Sequence, residues 1–168
     1  MSGAAAMSLS EVASEAAVSK ALIHYHFRDK DSLLVRLVDR TATEITEREI
    51  EALAGQHSPL AVDAIWAWLL GELRRGSLRV LLEVSQYRSA PVQDAARRAA
   101  SLRRATTTET IKHLFDILEL RPRVPPELIS EVVVAFVDGL AMDATLGDER
   151  ATRVAFDVFW LALLNLAE

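Results

Sequence analysis

Apolar side chains recur every three or four positions along most of this chain, and the polar residues between them carry the marks of helix ends. Ser8-Leu9-Ser10-Glu11 has the form of a capping box, in which a hydroxyl and a carboxylate three residues apart satisfy each other's orphan backbone donors. The pattern predicts a short helix from Leu9 to about Ala16, and a second, capped by Ser19, from Lys20 to about His26. Arg28-Asp29 is a break, and Asp29 caps a long third helix. On it Leu33, Leu34, Leu37, Val38, Thr41, Ile45 and Leu53 share a face until Gly55 stops it. Ser58-Pro59 opens a fourth, which carries Leu60, Ile65, Trp66, Leu69, Leu70 and Leu73 and ends at Gly76. Ser77 starts a fifth, to about Ser89, and Pro91 a long sixth, through Leu118. Arg121-Pro122-Arg123-Val124-Pro125-Pro126 reads as a loop. A helix then runs from Glu127 to Leu146, stopped by Gly147, and Asp148 caps the last, to about Leu166. No segment sustains the strict alternation of a strand between hairpin turns, so the predicted fold class is all-α.

The last two helices differ from the rest. Val132-Val133-Val134-Ala135-Phe136-Val137, Val154-Ala155-Phe156 and Val158-Phe159-Trp160-Leu161 are apolar on nearly every face. A surface helix needs one apolar stripe, and a helix apolar all round is buried all round. A chain of this size can hardly cover two such terminal helices by itself. The economical expectation is a homodimer through a four-helix interface, with Phe159 and Leu163 in it.

Composition narrows the functional classes. The length of 168 residues suits one domain, or a small domain fused to a modest one. With 51% apolar and 26% charged residues the chain is globular, not disordered. Zero Cys excludes a disulfide framework, a cysteine zinc site, an iron–sulfur cluster and a thiol nucleophile. The net charge of −5 and pI of about 5.4 exclude a general polyanion binder, so any nucleic-acid surface is local. Met1 to Ser8 lacks the basic start and apolar run of a signal peptide, and no charge-free apolar stretch is long enough to span a membrane. The expected setting is cytoplasmic, without a membrane partner.

Function is concentrated in Ser8 to Leu34. Two short helices joined by the tight turn Ala16-Ala17-Val18 turn Leu9, Val12, Ala13, Val18, Ile23 and Phe27 inward. The second helix keeps Lys20, Leu22, His24, Tyr25 and His26 outside. That is the layout of a helix-turn-helix, whose second helix enters the DNA major groove.

The run Ser19-Lys20-Ala21-Leu22-Ile23-His24-Tyr25-His26-Phe27, followed by Lys30-Asp31-Ser32-Leu33-Leu34, resembles the DNA-reading signature of the TetR family of transcriptional regulators. Phe136-Val137-Asp138-Gly139-Leu140-Ala141 is similar to the Asp-Gly-Leu element in the penultimate helix of many members. The resemblance implies a helix-turn-helix domain over residues 1–45 and a helical ligand-binding and dimerisation domain over 46–168. It implies a ligand-responsive repressor that binds a palindromic operator as a homodimer, with Ser8, Ser19, Lys20, Leu22, His24, Tyr25, His26 and Lys30 facing DNA. Three departures stand out. The turn has Ala17 where the family usually has Gly, and His24 stands where Tyr is usual. Only seven residues, Met1 to Met7, precede Ser8 in place of a complete helix. Without that helix Leu9, Val12, Ile23 and Phe27 are expected to be partly uncovered. A few hundred Å² of lost burial corresponds to on the order of 5–10 kcal/mol.

Other side chains invite a role but also have plain readings. Trp66, Tyr87, His113, Phe115 and Met142, with Trp68, His57 and Asp143 beside them, are candidates to line a small-molecule site; ordinary packing, with Trp68 at the surface, is the alternative. Arg97-Arg98 and Arg103-Arg104 read as a solvated stripe. His24 and His26 point to different faces, which disfavours a metal pair, and neither a cofactor nor a metal is called for. Residues 1–40 hold five basic and five acidic side chains, so DNA affinity would rest on a few placed groups and helix N-termini. No Gly-rich phosphate loop, His-Glu-x-x-His or Gly-x-Ser-x-Gly occurs, so an enzyme is not expected. The rival to the regulator is a helical dimer that has lost a functional reading head and sequesters a partner.

Overall fold

The structure is a computed structural model, described for residues 7–56, 60–143 and 148–168. Among these residues the elements are α1 (Leu9–Glu15), α2 (Lys20–His26), α3 (Lys30–Leu53), α4 (Ala61–Arg75), α5 (Ser77–Ser85), α6 (Ala90–Ile117), α7 (Pro126–Met142) and α8 (Glu149–Leu164). No strand occurs among the described residues; one isolated antiparallel bridge joins Pro122 to Ala167. The all-α expectation holds.

Local chemistry explains the N-terminal boundaries. Ser8 N–H donates to the Glu11 carboxylate at 2.6 Å and Glu11 N–H donates to Ser8 Oγ at 3.2 Å, completing the capping box. Ser19 Oγ accepts from Leu22 N–H, and Asp29 Oδ1 from Ser32 N–H. The turn after α1 closes as a full Schellman motif: Val18 N–H reaches Ala13 O and Ala17 N–H reaches Ser14 O. Ala17 sits at its left-handed position with φ +53°. Glu119 does the same after α6, at φ +55°.

Three boundaries differ from the sequence reading. α5 ends at Ser85 rather than near Ser89, because the Gln93 side-chain amide donates to the carbonyls of Ser85 and Tyr87 and draws the chain out of the helix. α7 ends at Met142, where Asp143 turns to extended backbone; the expected continuation to Leu146 and the stop at Gly147 fall on residues 144–147, outside the described residues. α8 ends at Leu164, and the chain then folds back on the α6–α7 loop. There Arg121 and Glu168 exchange two backbone hydrogen bonds and Arg123 N–H donates to Leu166 O. The Ser58-Pro59 start of the fourth helix and the segment before Met7 also lie outside the described residues.

The core is built on α3 lying against α6, with α4 and α5 on the flank of α3 and α7 on the flank of α6. Leu34, Val38, Ala42, Ile45, Glu49 and Leu53 form the buried stripe of α3, and Val92, Ala95, Ala99, Arg103, Thr107 and Leu114 that of α6. The small side chains of Ala42, Ala95 and Ala99 permit a close seam. α3 passes unbroken through the 45/46 division, so one rod belongs to both halves. A bidentate ion pair from Arg48 to the fully buried Glu72 fastens it to α4 at 2.6 and 2.9 Å.

Phe159 and Leu163 do not face outward as expected. Leu163 is buried, and the Phe159 ring stacks on Phe136 with centroids 4.0 Å apart. The exposed apolar stripes are instead Leu128, Val132 and Met142 on α7, with Ala135 and Gly139 in the same register, and Val154, Val158 and Leu161 on α8. No helix of the described residues is long and apolar enough to cross a membrane.

Candidate nucleic-acid interface and buried cavity

α2 has one buried residue, Ile23, which pins it to the rest of the head. Around it Lys20, Leu22, His24, Tyr25 and His26 are all exposed, Tyr25 at 84%. An aromatic left that far in water contributes little to the fold. The Tyr25 and His26 rings meet edge-on at 5.3 Å, forming a short aromatic ridge. Ser8 and Ser19 are also exposed; each oxygen accepts a helix N–H and leaves its hydroxyl hydrogen for an outside acceptor. Lys30 opens α3 but is half-buried, its ammonium 5.2 Å from the centroid of the Tyr87 ring. Beside it Ser89 Oγ donates to Asp31, so the start of α3 is joined to the α5–α6 connection.

The head is thinly packed. Ala13 and Ile23 are its buried residues, while Leu9, Val12, Val18 and Phe27 are half-buried. Ile23 is thus better covered than the sequence reading expected. Hydrogen bonds from Ser8 hold the Glu11 carboxyl below its ordinary range, and those from Ser32 do the same for Asp29. Both carboxylates therefore stay charged at the N-termini they cap, where the helix dipole favours them.

Deeper in the molecule a cavity of about 40 Å³ lies between α3, α4, α6, α7 and α8. Trp68, Phe136, Phe156, Phe159 and Trp160 give it aromatic walls, and Glu49, Arg103, Thr107 and Thr110 give it a polar patch. Glu49 is 3% exposed. Burial pushes its carboxyl up to about 7, against the opposing pull of hydrogen bonds from Thr110 and Thr107 and of the Arg103 charge. Arg103 is buried and bonds Asp138 at 2.6 Å. The expected solvated stripe is therefore broken: Arg97 and Arg98 are exposed on the outside of α6, while Arg103 turns in because Asp138 offers it a partner. Trp68 is half-buried rather than at the surface, and its Nε1–H has no hydrogen-bond partner. A buried donor left so costs about 1–3 kcal/mol.

The five residues singled out for a small-molecule site stand elsewhere. Trp66 packs on Phe156 at 5.3 Å beneath the Arg153 guanidinium. Tyr87 is in the junction with Lys30, and Phe115 is plain core. His113 is exposed beside a shallow groove with Ile50 and Leu53, and Met142 is exposed at the end of α7. Asp143 caps α7, and His57 lies outside the described residues. Among the described residues no cluster of three or more His, Cys, Asp or Glu could hold a metal ion.

Residues 2–37 match the profile of bacterial regulatory proteins of the tetR family. A solved SmeT–triclosan complex superposes with a TM-score of 0.70 over 93% of this chain and 81% of that one, at 16% identity. The tetR-family match covers the N-terminal segment, and the superposition extends the likeness in fold to most of the chain. A second solved structure, of a protein with unknown function from Rhodococcus sp. RHA1, superposes with a TM-score of 0.65 at 23% identity over 94% of this chain and 85% of that one. No curated protein sequence matches.

The chain is thus a TetR-like transcriptional regulator, whose family signature and exposed α2 face coincide. Its TetR turn keeps the left-handed geometry with Ala17 in the usual place of Gly. The Asp-Gly-Leu element of α7 divides its work: Asp138 holds Arg103 on the inside, while Gly139 is exposed. Glu49 was overlooked in the sequence, although a signal was there: it continues the inward register Leu34, Val38, Ala42, Ile45 of α3, where a carboxylate is out of place.

Proposed function

We propose that the protein is a ligand-responsive repressor that binds a palindromic operator in the cytoplasm as a two-fold homodimer. The exposed face of α2 carries this reading: Lys20, Leu22, His24 and Tyr25 are held outward by a helix anchored at Ile23. Lys20 and Lys30 supply phosphate contacts, and Leu22 and Tyr25 meet the groove. The exposed apolar stripes of α7 and α8 support pairing with a second copy, and the small residues Ala135 and Gly139 let two α7 helices approach closely. The aromatic cavity supports an effector site. The SmeT structure holds triclosan, and an effector here would act by preferring one of two separations of the paired heads. At about 40 Å³ the cavity must open, since ligand sites commonly measure about 300–1,000 Å³.

Selection from random duplex DNA tests the reading. A two-fold symmetric sequence should be enriched, and Tyr25→Ala should weaken binding to it without changing the melting temperature. Placed before a reporter, that sequence should lower transcription. If no sequence is enriched while the dimer is intact, the sequestering role replaces the repressor.

A further inference from the structure

The polar groups of the cavity are not matched to one another. The cavity is lined by one carboxyl group, Glu49, and one guanidinium, Arg103, and Arg103 is already paired with Asp138 outside the lining. Glu49 is left with the hydroxyls of Thr107 and Thr110 and no cation of its own. Nothing titratable faces it from α4, which contributes Ile65, Trp68 and Leu69, or from α8, which contributes Phe156, Phe159, Trp160 and Leu163. From α7 the lining is Val133, Val134, Phe136 and Val137, and from α6 the charged neighbour is Arg103, which is paired with Asp138. Trp68 Nε1–H is likewise unsatisfied. Such loose ends in an otherwise apolar cavity are what a ligand completes.

Resting on the effector-site reading above, we infer that the cavity takes a flat organic cation, its ammonium against Glu49 and its rings between Trp68, Phe136, Phe159 and Trp160. The electrostatics select for this class. An anion would meet the Glu49 carboxyl, with the one guanidinium already paired to Asp138. A neutral ligand gains nothing from the charge that Glu49 can carry. A cation meets that charge and also the negative faces of the aromatic walls. Proton linkage follows: a bound cation favours the ionised carboxylate, so binding displaces the proton that burial keeps on Glu49.

A charge series on one ring system tests this, with naphthylmethylamine, naphthylmethanol and naphthoate titrated calorimetrically into the full chain. At about pH 8 the amine should bind about tenfold tighter than the alcohol, and naphthoate should not bind. The advantage of the amine should shrink as the pH falls through about 7. Glu49→Gln keeps the size and hydrogen-bonding of the side chain; it should bind the alcohol as wild type does and lose the preference for the amine. An alcohol that binds as well as the amine overturns the inference and leaves the effector site standing. A preference for the amine that survives in Glu49→Gln overturns it equally. If none of the three binds, the effector-site reading falls and takes the inference with it.

Discussion

Lys30 rests its ammonium on the face of Tyr87, 5.2 Å from the ring centroid, and so ties the first turn of α3 to the end of α5. The same lysine is one of those proposed above to contact phosphate, so on that proposal one side chain serves the head and the core. Lys30→Ala should weaken binding to every DNA sequence and lower the salt slope by about one. Tyr87→Ala leaves the charge but removes its seat, an interaction of about 0.5–1 kcal/mol, so affinity should fall about two- to fivefold at an unchanged salt slope. Anisotropy titrations across a salt series separate the two. An unchanged slope in Lys30→Ala would refute the contact.

Ala17→Gly should steady the reading head. Ala17 holds φ +53°, a region that costs a residue with a Cβ about 1–2 kcal/mol. Glycine removes that strain but is freer in the unfolded chain, leaving a gain of about 1 kcal/mol. Because the head is thinly packed, it should open before the core. Amide exchange across Leu9–Phe27 should slow about fivefold in the variant, at unchanged rates in α3 and α6. Faster exchange in the head would show that the turn is not the strained element.

Stability should fall as pH rises from about 4.5 to about 7 and then level off. The Glu49 carboxyl ionises near its ordinary 4.5 when unfolded and at about 7 when folded. Between those values the folded state holds the extra proton, so the contribution is complete below about 4.5 and is lost by about 7. The change is at most about 3 kcal/mol. Urea unfolding at a series of pH values should show this decline in wild type, and Glu49→Gln should flatten it. Parallel curves for the two proteins would rule it out.

Val132→Glu with Val158→Glu should give monomers by light scattering with the helical circular dichroism preserved, because both side chains are more than half exposed in the single chain. Phe136→Glu should instead unfold the region, since its ring is stacked inside on Phe159. A stable dimer in the double variant would move the interface away from these stripes.

What the sequence made legible was local. The caps at Ser8, Ser19 and Asp29 and the left-handed stop at Gly76 depend on neighbours within a few residues, so their signals lie side by side in the chain. The end of α5 depends on Gln93, eight residues past Ser85, and the burial of Arg103 on Asp138, 35 residues away. Apolar runs also cannot tell a helix's inner face from a partner's, which is why Phe159 was expected outside while Val158 is the exposed neighbour. The aromatic candidates failed to mark the cavity for a similar reason. A ring packs equally well in a core, a junction or a cavity wall, as Phe115, Tyr87 and Trp68 show.

Glu49 and Lys30 lie on the same unbroken α3, nineteen residues apart, a span of about 28 Å at the usual rise of about 1.5 Å per residue. The helix is therefore a lever with a cavity wall at one end and the reading head at the other. A tilt of about 5° about the cavity end would carry the head some 2–3 Å, and the two heads of a pair about 5 Å apart or together, against a half-site spacing of about 34–36 Å. A change too small to repack the core is thus geometrically sufficient to take both heads out of step with the groove.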